Sequence, residues 1–147
     1  MTVELNKILL SSKEIAGFLK KTCEKGVAFK FTAKGMSMSP FICDGDSLIV
    51  EPITEKGNPE IGDIVAFINP VKGFLVIHRV IEKQNQRYLL KGDNVYYNDE
   101  YCNNKDIHGI VKKIVITHKN FRGPDRILRK FFLFINNFKK PVAFLSR

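Results

Sequence analysis

The sequence predicts a mainly β, compact fold with a helix near each end, and three observations lead there. From residue 27 onward, apolar residues recur with a period of two in short runs rich in Val, Ile and Phe. Turn-forming clusters separate these runs, with no helical pattern between them, which is the spacing of a small barrel or of paired sheets. Only the two ends of the chain carry a helical period.

The first element is a helix from about Ser12 to Glu24. Ser11-Ser12-Lys13-Glu14 has capping-box spacing, a hydroxyl followed three residues later by a carboxylate, and Ile15, Phe18 and Leu19 come next at helical spacing. Gly26 stops it. Strands are expected over Val27 to Ala33, Ser47 to Ile53, Asp63 to Ile68, Phe74 to Ile81, Tyr88 to Leu90 and Ile107 to Thr117. Asp44-Gly45-Asp46, Lys56-Gly57-Asn58-Pro59, Asn69-Pro70, Lys72-Gly73 and Lys91-Gly92-Asp93-Asn94 supply the turns. After Gly123-Pro124 a second helix is expected over Asp125 to Lys140, because proline suits a first helical turn.

A chain of 147 residues suffices for one core and hardly for two. It divides into a helical segment (1–26), a β-rich body (27–119) and a basic tail (120–147). With 44% hydrophobic and 27% charged residues, it is neither disordered nor fibrous. The net charge of +9 points to an anionic partner, but its location narrows that inference. From Lys112 onward ten basic residues face one acid, Asp125, whereas residues 1–111 hold 14 of each sign. The body is neutral and the tail carries the surplus.

Cys23, Cys43 and Cys102 are odd in number and lack C-x-x-C spacing, so reduced thiols are expected, with no metal and no cofactor. No run has the length of a signal peptide core or of a membrane span. The expected location is therefore cytoplasmic or peripheral at a membrane.

Chemistry concentrates in Gly35-Met36-Ser37-Met38-Ser39-Pro40. A serine in a glycine-containing turn is bland alone, as is a histidine on a strand. Here an ordered set surrounds them: Asp44-Gly45-Asp46-Ser47-Leu48-Ile49-Val50, Gly62-Asp63-Ile64-Val65-Ala66-Phe67, Val76-Ile77-His78-Arg79-Val80-Ile81 and Lys91-Gly92-Asp93-Asn94. In order and spacing, over roughly Phe29 to Val115, this set resembles the signal peptidase and LexA-like serine peptidase superfamily. The resemblance implies a serine endopeptidase acting on a peptide or precursor protein, with Ser37 as nucleophile. Bacterial signal peptidases and LexA-type repressors place lysine at the base position. Histidine there, as at His78, is similar to the endoplasmic-reticulum and archaeal-type signal peptidases. Histidine titrates near ~6.5 and needs less tuning than lysine near ~10.4, but gains from an orienting carboxylate.

By the same resemblance that carboxylate is Asp99 or Asp93. Asp99 is favoured, with Asp93 as a turn residue or support, and Asp106 is assigned to the turn before the last strand. His108 and His118 are expected on the surface. The chain departs from the signal-peptidase pattern in having Gly35 and Met36 where serine and glycine precede the nucleophile. The oxyanion donor must then be the Ser37 backbone N–H, another backbone group or Ser39.

Two other function classes stay open. One is a LexA-like regulatory domain, self-cleaving or inactive. Such proteins often cut at Ala-Gly, but Ala16-Gly17 falls within the capped helix. The other is a noncatalytic module whose tail binds lipid or nucleic acid. In the tail, Ile127, Leu128, Phe131, Phe132, Phe134, Ile135 and Phe138 share one helical face, opposite Arg126, Arg129, Lys130, Asn137 and Lys140. That pattern suits an anionic membrane surface or packing on the body. No nucleic-acid-binding motif is present, so nucleic acid is disfavoured.

Overall fold

The computed structural model describes residues 2–4, 11–53, 57–99 and 101–116. The tail helix, His118 and the end of the last expected strand lie outside these residues. In chain order the elements are β1 (Thr2–Glu4), α1 (Ser12–Glu24), β2 (Ala28–Thr32), β3 (Ser47–Pro52), β4 (Ile64–Ile68), β5 (Leu75–Gln84), β6 (Arg87–Lys91), β7 (Cys102–Asn103), a single 3-10 turn (Asn104–Asp106) and β8 (Ile107–Val115). The mainly β expectation holds.

Helix α1 begins where its capping box sets it. The Ser11 hydroxyl accepts from the Glu14 N–H at 3.3 Å and the Glu14 carboxylate accepts from the Ser11 N–H at 2.7 Å, so two otherwise orphaned donors are satisfied. The helix buries Ala16, Leu19 and Thr22. Phe18, expected on the apolar stripe, is 47% exposed. Leu19 and Thr22 turn inward on the adjacent stripe instead. Ala16 is 2% exposed and the Ala16-Gly17 bond lies inside the helix, so it is not in the extended form that a peptidase cleaves, although Gly17 is exposed.

One sheet holds all the strands, in the order β1-β2-β3-β8-β4-β5-β6-β7. Seven run antiparallel in a curled half-barrel, and β1 joins at the edge, parallel to β2. Register shifts fall at Ile49/Val50, Ala66/Phe67 and Val80/Glu82, and such bulges increase local twist and bend the sheet. Its two faces bury separate clusters. Leu19, Phe29, Phe31, Met38, Ile42, Leu48, Val50 and Ala66 pack on one side, and Val65, Phe67, Val80, Tyr88, Leu90, Cys102 and Ile107 on the other. Central strand β4 contributes to both, which explains its uninterrupted apolar run.

β5 positions the site. It pairs with β4 from Leu75 to Arg79 and with β6 only from Arg79 onward, so His78 and Arg79 stand where the strand passes from one partner to the other. Toward β6, the stretch before Arg79 lies beyond that pairing.

Candidate active site

Ser37 sits in a turn between β2 and β3 that is knitted together by the aspartates of the Asp44-Gly45-Asp46 sequence. Asp44 Oδ1 accepts from the Gly35 N–H at 2.8 Å, and Asp46 Oδ2 accepts from the Cys43 N–H at 2.8 Å. Asp46 is 1% exposed, and its backbone carbonyl accepts from the Ala33 N–H at 2.7 Å. Gly35 has φ of +85°, a left-handed conformation that glycine adopts without strain and that turns the chain from β2 into the serine segment. The Ser39-Pro40 peptide is cis.

The loop between β6 and β7 closes over this turn. The Asn94 N–H donates to the Ser37 carbonyl at 2.8 Å, and Asn94 Nδ2 donates to the Met36 carbonyl at 3.1 Å. Gly92 lies at the tightest point. A Cβ there would stand 2.7 Å from the Ser37 carbonyl oxygen, 2.7 Å from Val95 Cγ2 and 2.9 Å from His78 Nε2. Gly92 therefore has Ser37 on one side and the His78 ring on the other.

His78 is 7% exposed, with the Phe67 ring 6.2 Å away, centroid to centroid. Its Nδ1 meets Asp99 Oδ2 in a short contact. Asp99 is held in place from behind, its N–H donating to the Leu90 carbonyl of β6 at 2.8 Å. Asp93 points elsewhere. Arg79 Nε and Nη2 donate to its two carboxylate oxygens at 2.8 and 2.7 Å, while Arg79 Nη1 donates to the Gly62 carbonyl at 2.8 Å. The guanidinium also lies 4.9 Å from the Phe41 ring centroid. Of the two carboxylates weighed from the sequence, Asp99 touches the histidine and Asp93 anchors the loop that carries Gly92 and Asn94.

Ser37, His78 and Asp99 line one cleft of about 410 Å³. Met36 is half-exposed, and Ser39 does not line the cleft; its hydroxyl faces Cys43 Sγ at 3.8 Å. Among the described residues, the backbone N–H groups of Ser37 and Met38 have no hydrogen-bond acceptor. Those two donors suit an oxyanion better than the Ser39 hydroxyl does.

The remaining candidates have structural surroundings. Asp106 Oδ2 accepts from the Asn103 N–H at 3.0 Å and caps the 3-10 turn. His108 is half-buried rather than on the surface, and burial lowers its pKa, with Lys20 adding to the effect. Burial pushes the Cys23 thiol up to about 11 and the Cys102 thiol up to about 12, which leaves both protonated and poorly nucleophilic. Gly92, Asn94 and Arg79 do not stand out as site residues from the sequence alone. The signal was present in their boxes, where an arginine follows the histidine and an aspartate follows Gly92.

A model of the Peptidase S24-like family matches residues 8–115, well over half of the chain and all of the cleft. A search of curated proteins finds no match. The serine turn, the carboxylate-paired histidine and the cleft they share all lie within the matched span. The chain belongs to the Peptidase S24-like family, within the LexA and signal peptidase superfamily.

Proposed function

We propose that the protein is a serine endopeptidase with Ser37 as nucleophile, His78 as general base and Asp99 as the carboxylate that orients the base. The carrying observation is the pairing of His78 Nδ1 with Asp99, which leaves Nε2 turned toward Gly92 and the Ser37 turn. With Nδ1–H donating to Asp99, Nε2 keeps the lone pair that accepts the Ser37 hydroxyl proton as Oγ attacks the scissile carbonyl. The imidazolium that forms is stabilised by Asp99 and then protonates the departing amine. The Ser37 and Met38 N–H groups receive the oxyanion.

The substrate is a peptide or precursor protein bound in extended form. Support comes from β5, whose Leu75–Ile77 stretch borders the cleft beyond its pairing with β6 and offers a strand edge to an incoming chain. A histidine base likens the chemistry to signal peptidases of the endoplasmic-reticulum and archaeal type. Burial of Ala16 within α1 weighs against self-cleavage at that bond.

The test is covalent labelling by a serine-reactive phosphonate. Labelling is expected in the native protein, with loss in Ser37→Ala and a fall of about a hundredfold or more in His78→Ala. A protein that is neither labelled nor able to cleave any member of a peptide library is not a peptidase of this kind.

A further inference from the structure

The cleft has two long walls, Phe31–Gly35 at the end of β2 and Phe74–His78 at the start of β5. Between them the lining is largely apolar, with Phe31, Ala33, Met38 and Ile42 all buried. Its charges are one-sided. The lining includes two lysines, Lys34 and Lys72, and one acidic residue, Asp99, whose carboxylate is taken up by His78. Lys72 Nζ lies 5.8 Å from the Phe74 ring centroid, so the ammonium leans along the wall of the cleft. Asp44, beside the Lys34 end, is engaged by the Gly35 N–H. Among the described residues neither lysine has a carboxylate partner.

Their places along the cleft differ. Lys34 precedes Ser37 by three residues, at the reacting end. Lys72 belongs to the far end, before Phe74, and the strand from Phe74 to His78 covers about 13 Å at 3.3 Å per residue. A peptide strand spans that length with about four residues.

We infer that the cleft selects extended peptides in which a short apolar stretch is flanked by acidic side chains, one beside the scissile bond and one about four residues away, met by Lys34 and Lys72. Naming one end scissile rests on the peptidase reading; the binding preference does not.

The experiment therefore measures binding apart from catalysis. Fluorescent peptides with one apolar centre and either Glu or Lys flanks are titrated into the full-length Ser37→Ala protein by anisotropy. At about 0.05 M salt the Glu-flanked peptide is expected to bind about tenfold more tightly, the yield of two exposed ion pairs, and most of that margin disappears at about 0.5 M. Because the basic tail attracts any acidic peptide, the deciding arm is Lys34→Glu/Lys72→Glu, which is expected to prefer the Lys-flanked peptide. The single variants Lys34→Gln and Lys72→Gln should each lose about threefold. Equal binding of both peptides by the parent protein overturns the inference, as does a double variant that still prefers Glu flanks. If phosphonate labelling fails while the preference and its reversal hold, the peptidase reading falls and the cleft's selectivity stands.

Discussion

Asp99 and Asp93 belong to one loop, yet Asp99 faces His78 Nδ1 while Asp93 accepts from Nε and Nη2 of the Arg79 guanidinium. Their substitutions should separate accordingly. Asp99→Asn is expected to lower kcat by about a thousandfold or more, through the wrong tautomer of His78, with little change in melting. Asp93→Asn leaves Arg79 partly buried without its counter-charge, and a stability loss of about 3 kcal/mol is expected in a denaturant titration. Equal effects of the two on rate and on melting would refute the division. Gly92→Ala is harsher than its single methyl suggests. The added Cβ would meet a backbone carbonyl and the His78 ring at under 3 Å, so either the loop or the imidazole must move. Peptide cleavage should be lost, along with about 1–3 kcal/mol of stability. A fully active Gly92→Ala enzyme would mean that the loop is looser than its contacts imply. Asp99, the aspartate favoured from the resemblance, is the one that meets His78, although both follow the same glycine turn and the margin between them in the sequence is small. The backbone bond from Asp99 to Leu90 and the ion pair of Asp93 with Arg79 separate the two, and no local pattern encodes either contact.

At the scale of elements, legibility follows the range of the forces. Helix α1 was readable to its ends because a capping box is local chemistry. The six longer strands were readable because alternation extends over several residues, with boundaries shifted by at most three positions. Strands β1 and β7 were not, since three and two residues carry no period and exist only through their pairing with β2 and β6. Phe18 shows the same limit on a helix, where a wide apolar stripe leaves its inward-facing centre undecided until a sheet packs against it. The junction of α1 with β8 also carries a pH dependence. His108 lies within the influence of Lys20 and Glu24 of α1 and of Asp106, and burial, the largest influence, lowers its pKa below 6.5. The unfolded chain therefore binds a proton more readily than the folded one. The contribution is complete above pH 6.5 and is lost as pH falls from there toward the folded value. Melting temperature should drop over that window in the parent protein and drop less in His108→Gln; parallel curves would remove His108 as the cause.

For the whole molecule, the family match ends at Val115, where β8 ends, so eight of the ten basic residues behind the charge surplus lie beyond it. The matched body is close to electroneutral, and the residues proposed for catalysis are drawn from widely separated parts of the sequence. Ser37 comes from the turn after β2, His78 from β5, and Gly92 and Asp99 from the loop after β6. That dispersal affects how the protein is made. While the chain is being synthesised, the serine emerges well ahead of the histidine, and the aspartate follows later still. Until β6 is paired and its loop has closed over the Ser37 turn, the serine is an ordinary alcohol with no base beside it. On the proposed assignment a nascent or half-folded chain would have no means of cutting its neighbours, because the three residues meet only when the sheet is complete.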